Sequence, residues 1–316
     1  MVEKEEFYKI NNKKIKINMQ IKPLLEKSEA KKNAVIFVSG SGTNAEKILE
    51  KWTAEKNTAA FNITAIITDR PKQSRAGQIA ETYNIPLVEN DIREFYNKNG
   101  LKRITIRTAE GQKVREAWTD ALREQLKDYT IDFGILAGFV PLTNITGDFP
   151  CLNVHPGDLT YLKDGKRYLV GLHTIPIERA ILEGLDGLSS SVILAEPYSD
   201  KGDDMDCGII LGISDNVPVE LGVNSFEELQ KTHDNRPSKK PRGGFSDILS
   251  EIADKNLENL KVNGDWIVFP QVIFDFAAGK FGVDDERNLY YLINSNYHPI
   301  ENVIYGKKEK EILFRD

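Results

Sequence analysis

The apolar positions of this chain fall into short unbroken runs, separated by stretches with helical spacing. AVIFV, just after Asn33, is a β-branched run that reads as a strand buried on both faces. Ala45, Ile48, Leu49 and Trp52 then recur with the 3.6-residue period of an amphipathic helix. ITAIIT (63–68) predicts a second strand, SRAGQIAETY a helix, and IPLV a third strand. Between 112 and 128 a further stripe runs through Val114, Ala117, Trp118, Ala121, Leu122 and Leu126, and the strand IDFGILAGF follows. Such alternation predicts an α/β fold: a Rossmann-like, doubly wound, mostly parallel sheet with helices on both faces.

The pattern changes at both ends and once in between. Residues 1–33 are rich in Lys, Glu and Asn, and YKINNKKIKI alternates around Asn11-Asn12 as a small hairpin does. IKPLLEK predicts a helical turn. We read 1–30 as an N-terminal extension, 31–282 as the main domain, and 283–316 as a tail in which VIYGKKEKEILF has hairpin character. An insertion at about 213–262 carries two helical segments, SFEELQKT and SDILSEIADKNLENL. Between them lies the basic, Pro/Gly-rich loop NRPSKKPRGG, whose Lys239–Arg242 cluster reads as a solvated face.

Composition narrows the partners. The 316 residues are long enough for one large core or two, and 40% apolar with 28% charged content describes a globular chain. A net charge of -6 supplies no overall basic field, so nucleic acid is not expected as a partner. No apolar run reaches the roughly 18 residues that a membrane helix needs, and MVEKEEFYKI lacks the apolar centre of a signal peptide. Cys151 and Cys207 give no disulfide framework. The expectation is a cytoplasmic protein with two free thiols and no membrane partner.

Two stretches carry candidate chemistry. In CLNVHPGDL, Asn153 and His155 sit two apart, so on a strand they project to one face, and Pro156 ends the strand behind them. Asp206 opens a later apolar run, CGIILGI. An amide, an imidazole and a carboxylate together can stabilise an oxyanion and move protons. The second stretch is SGSGTN (39–44), between a strand and a helix. Gly40 and Gly42 let the backbone approach a ligand, and Ser41, Thr43 and Asn44 complete a loop whose free N–H groups favour an anion. A plain helix-capping turn fits the same residues. The third glycine of a dinucleotide fingerprint is absent, since Ala45 and Glu46 follow. The acidic loop SDKGDDMD, with Asp203 and Asp204, reads as solvated, and no metal is expected.

GLHTIPIERAILEG (171–184), then SSSVILAEP, then Asp206-Cys-Gly-Ile-Ile, resemble in type and order the folate-dependent formyltransferases, above all their glycinamide ribonucleotide branch. The resemblance covers about 31–212 and 262–282 in five pieces. It implies a catalytic role for Asn153, His155 and Asp206, and a substrate-phosphate role for Gly40 to Asn44. Gly138-Phe-Val-Pro-Leu resembles the family's Gly-Phe-Met-Arg-Ile/Leu, which implies that Phe139, Val140 and Leu142 line the pterin pocket with backbone groups. Asp204 joins them from the loop that wraps the pterin. Asp265 falls where relatives have a Glu that contacts the acceptor's ribose.

The departures are specific. Pro141 and Ile79 stand where the family has arginines, and Arg75, one turn before Ile79, offers a replacement. Gly157 and Asp158 replace a Ser-Leu pair after His-Pro, and residues around Lys163 to Lys166 are inserted near the acceptor. His173 reads as a helix N-terminal residue with a structural hydrogen bond. The implied activity is formyl transfer from 10-formyltetrahydrofolate, a co-substrate, to the primary amine of a phosphorylated small molecule. Glycinamide ribonucleotide of purine synthesis is the first choice. A sugar-nucleotide amine, or a non-catalytic binding role, are the alternatives. The sequence leaves the oligomeric state open.

Overall fold

A computed structural model describes residues 2–10, 13–198, 206–239, 241 and 244–315, with side chains from residue 20 onward. The chain opens with an antiparallel hairpin, β1 (Val2–Ile10) and β2 (Lys13–Pro23), whose turn at Asn11-Asn12 lies outside the described residues. No helical turn forms at IKPLLEK, where Ile21 to Pro23 still belong to β2. The expected alternation follows: β3 (Lys32–Phe37), α1 (Thr43–Ala54), β4 (Phe61–Thr68), α2 (Ala76–Tyr83) and β5 (Leu87–Glu89). Next come α3 (Ile92–Lys98), α4 (Ala109–Leu126), β6 (Phe133–Leu136) and β7 (Cys151–His155). The short α3 had no clear sequence stripe. Asp91 starts it by accepting the Glu94 N–H at 2.9 Å.

β5-β4-β3-β6-β7 are parallel neighbours. Alternation along β3 separates two apolar layers. Ala34, Ile36 and Val38 pack with Ile48 and Trp52 of α1, whereas Val35 and Phe37 pack with Leu122 and Leu126 of α4. Helices therefore cover both faces, as the doubly wound pattern requires.

The remainder brackets the cleft. A small hairpin, β8 (Leu162–Lys163) and β9 (Lys166–Arg167), precedes α5 (Ile175–Leu182), and the short β10 (Gly187–Leu188) precedes β11 (Ser191–Ala195). β11 lies antiparallel to β7 and to β12 (Ile210–Ser214). The inserted segment gives β13 (Val217–Pro218), α6 (Phe226–Asp234) and α7 (Ile248–Leu260). Leu229, Leu249, Ile252 and Leu260 of these helices bury against Ile177 and Ile181 of α5, a second small core. α7 runs through a π-helical turn, Lys261–Asp265, into α8 (Trp266–Ala277).

The segment expected as a tail does not stand apart. β14 (Phe281–Val283), β15 (Leu289–Ile293), β16 (Asn296–Tyr305) and β17 (Lys310–Phe314) extend the sheet, because β16 pairs in parallel with β12. β14 in turn pairs with β2. Among the described residues, thirteen strands thus form one sheet, including both terminal segments. One carboxylate clamps the addition: Asp275 of α8 accepts from Tyr291 (2.7 Å), Tyr305 (2.6 Å) and Lys310 (2.7 Å), one from each of β15, β16 and β17. No helix among the described residues is long and apolar enough to cross a membrane.

Candidate active site

β7 is held on both edges. It has β6 on one edge, with Leu136 opposite Asn153, and β11 on the other, with Ser191 opposite His155. Leu152 and Val154 enter the α1/α8 core, so Asn153 and His155 project from the opposite face. Both line a cleft of about 300 Å³, joined there by Asp206, Asp265 and Asn44. The Asn153 amide makes no hydrogen bond among the described residues.

His155 is 3% exposed and Asp206 7%. Nδ1 of His155 faces Asp206 Oδ1 at 3.3 Å, and Nε2 lies 2.7 Å from the carbonyl oxygen of Leu169. A carbonyl only accepts, so Nε2 carries a hydrogen. Nδ1 faces the Asp206 carboxylate, the partner through which the ring can exchange a proton. The other oxygen of Asp206 accepts from Gly171 N at 3.4 Å. Asp206 adopts φ +67°, and Arg167 Nη1 donates to its carbonyl oxygen and, at 2.9 Å, to that of Gly208. Gly157 makes this packing possible: a Cβ there would lie 2.6 Å from Leu169 O and 3.0 Å from His155 Nε2.

Asp265, at the end of the π-helical turn, is buried. Its carboxylate accepts from Ser190 Oγ at 2.6 Å and from Asn44 Nδ2 at 3.3 Å. Burial pushes its pKa up against those two hydrogen bonds. The Asn44 amide oxygen, Oδ1, is buried without a partner among the described residues. Only Asn44 of the glycine loop reaches the cleft wall; Gly40, Ser41, Gly42 and Thr43 lie beyond it. Gly42 caps α1 with φ +70° and no side-chain cap, which leaves the first-turn N–H groups of the helix open to a ligand. Arg75 does not reach the cleft. It pairs with Glu46 at 2.7 and 3.0 Å and touches Ser41 O at 3.3 Å, across the glycine loop. Ile79 is core, facing Gly42.

Phe139, Val140 and Leu142 line the cleft, yet two of the backbone groups expected to read a ligand are already engaged. Val140 N–H donates to Ser39 Oγ at 2.9 Å, and Leu142 O accepts from Arg115 Nη1 at 2.5 Å. Arg115 is a buried guanidinium above the Tyr96 and Trp118 rings. It fixes the segment that lacks an arginine at Pro141. The expectation for Asp204 lies outside the described residues, as do Asp203 and Arg242. His173 makes no hydrogen bond among the described residues. It is exposed, adopts φ +55° and lines the cleft.

Sequence reasoning missed Arg115, Tyr198, Glu196 and Lys261, and it read Arg167 as replacement charge from an inserted loop, whereas Arg167 is engaged by the Asp206 and Gly208 carbonyls. Tyr198 donates to Glu116 at the outer end of the cleft, and Glu196 pairs with Arg287 from the β14–β15 turn. Lys261 brings the inserted segment to the cleft. Only Arg115 left a usable sign, a charged residue inside an apolar helical stripe. Among the described residues, no group of His, Cys, Asp and Glu is arranged for a metal.

At the edge of the parallel strands, an Asn-x-His strand end thus faces an Asp from the β11–β12 connection. Two solved structures share the fold: phosphoribosylglycinamide formyltransferase of Coxiella burnetii, with a TM-score of 0.53 at 18% identity, covers 85% of this chain and 96% of its own. Glycinamide ribonucleotide transformylase 1 of Symbiobacterium toebii has a TM-score of 0.53 at 20% identity, over 84% and 96%. In sequence, the chloroplastic phosphoribosylglycinamide formyltransferase of Arabidopsis thaliana is 25% identical over 209 residues, 64% of this chain. The match spans 63% of that relative's length. No family model matches. In fold and in sequence, then, the chain is similar to phosphoribosylglycinamide formyltransferases.

Proposed function

We propose that the protein transfers a formyl group from 10-formyltetrahydrofolate to the primary amine of a phosphorylated small molecule, with glycinamide ribonucleotide as the first acceptor to test. One observation carries this: the Asn153 amide and the His155–Asp206 pair converge on one cleft with an apolar wall at Phe139 to Leu142 and a polar end at Asn44 and Asp265. A cleft of about 300 Å³ with an apolar wall suits the ring end of a folate, and an open helix N-terminus at Gly42 suits a phosphate. The co-substrate supplies an activated formyl carbon. Asn153 donates toward the negative charge that develops on the formyl oxygen as the amine attacks. The His155–Asp206 pair takes the proton the amine must lose and returns one to the departing nitrogen. His155 exchanges protons on its Nδ1 side, because its Nε2–H is committed to Leu169 O. Cys151 is buried and its thiol is pushed up by burial, so it supplies no thiolate. Cys151 and Cys207 form no disulfide, and we place the protein in the cytoplasm.

The test is formyl transfer to a panel of amines with glycinamide ribonucleotide first, beside calorimetry with a stable 10-formyl folate analogue. Transfer to a phosphorylated amine, saturable in both substrates, is expected. Transfer to a sugar-nucleotide amine alone would replace the acceptor and keep the chemistry. No transfer, and no heat with millimolar analogue, would overturn the proposal.

A further inference from the structure

We propose that Arg167 is a positioning residue that holds Asp206 against His155, with Arg167–Gly171 acting as a fixed strap across the pair; this rests on the formyl-transfer reading of the cleft. Arg167 has no salt bridge among the described residues. Its hydrogen bonds go to two carbonyl oxygens of the Asp206–Gly208 turn. That turn needs support. A non-glycine residue at φ +67° is disfavoured unless its surroundings impose it. The far end is already fixed, because Gly208 sits where a Cβ would lie 1.8 Å from the Leu194 carbonyl of β11. Arg167 supplies the constraint at the near end, where the carboxylate starts.

The strap is itself held on alternate sides. Arg179 Nη1 of α5 donates to Tyr168 O at 2.8 Å and Val170 O at 2.9 Å. The carbonyl between them, Leu169 O, points the other way and meets His155 Nε2. Successive carbonyls of an extended segment alternate in this manner. Gly171 N then donates to Asp206 Oδ2. One short segment therefore touches both ring partners of His155: Nε2 through Leu169, and the Nδ1 partner Asp206 through Gly171 and Arg167. A planar guanidinium with several fixed donors can hold two carbonyls together, which an ammonium cannot do as well.

The experiment uses the full chain with nitrogen-labelled histidine, in wild type, Arg167→Gln and Arg167→Lys. Four histidines, at 155, 173, 233 and 298, keep the ring spectrum assignable. In Arg167→Gln, the His155 Nδ1 resonance is expected to move while the other three histidines stay in place. Turnover should fall about tenfold or more with both KM values within about twofold, because misplacement near the reacting atoms costs rate rather than binding. Arg167→Lys should recover part of both losses. A folded Arg167→Gln with unchanged His155 signals and wild-type turnover would overturn the proposal. A raised KM with turnover intact would also overturn it, making Arg167 a substrate contact. If Arg167→Gln does not fold, Arg167→Lys decides by the same two readings. If the wild type transfers no formyl group, the functional reading fails, and the ring resonances still decide the positioning role.

Discussion

β7 and the strap across it hold the same imidazole by opposite means. β7 is fixed by backbone ladders on both edges and by Leu152 and Val154 in the core, so the directions of Asn153 and His155 follow from strand geometry alone. Beyond Arg167, which ends the β8–β9 hairpin opposite Leu162, the strap has no ladder. Arg179 on two of its carbonyls, its own Arg167 on the Asp206–Gly208 turn and the missing Cβ of Gly157 hold it in place. The difference teaches where the site tolerates change. On the proposed mechanism, the oxyanion side is built into the sheet, while the proton-handling side depends on a few side-chain bonds to loops.

Removing the chemistry from either region should give the largest effect. Asn153→Ala, His155→Ala and Asp206→Ala are each expected to lower turnover by about a hundredfold or more, with circular dichroism unchanged. Near wild-type turnover in Asp206→Ala would remove the loop side from the mechanism. Gly157→Ala is a finer probe of the strap. Its Cβ would sit 2.6 Å from Leu169 O, so the carbonyl must leave Nε2. We expect roughly a tenfold change in turnover and a moved His155 Nε2 resonance. An unmoved resonance would show that the strap does not set the ring.

Gly42→Val tests the glycine loop. Its Cβ would meet Ile79 Cδ1 at 2.4 Å, and φ is +70°, so a stability loss of about 1–3 kcal/mol is expected. KM for the acceptor should rise while folate analogue affinity holds, both readable by steady-state kinetics and calorimetry. Unchanged acceptor KM would reduce the loop to a turn.

The smallest effect concerns Asp265. Burial raises its folded-state pKa above the ordinary 3.8, so the folded state retains a proton that the unfolded chain has released. That favours folding at low pH, and the advantage is lost as pH rises through the folded-state pKa. Asp265→Asn removes the buried charge, and the Asn44 amide can flip to use its partnerless oxygen. The Tm of Asp265→Asn relative to wild type should therefore climb between about pH 4 and pH 7. A Tm difference that stays flat with pH would contradict this.

Much of this was legible in the sequence. The β-branched runs and helical stripes located the parallel half of the sheet, because such strands are buried on both faces and carry a local signal. The two-residue spacing of Asn153 and His155 put them on one face, and the structure sets Asp206 beside His155. What stayed hidden depends on contacts far apart in the chain. The parallel pairing of β12 with β16, Ile213 opposite Ile304, has no local pattern, so the last strands read as a tail. Arg75 looked like a free cation until folding brought Glu46 beside it. Val140 N–H looked available until Ser39 took it. Arg167 sat in what read as an inserted loop, and only the folded chain shows which carbonyls it reaches.

The central claim is tested most directly by following an isotopically labelled formyl group in a single turnover, from 10-formyltetrahydrofolate to glycinamide ribonucleotide, with Asp206→Ala in parallel. Labelled formylated amine should appear with the wild-type protein and should be at least about a hundredfold slower with the variant. No labelled product from any phosphorylated amine, or equal rates for the two proteins, would contradict it.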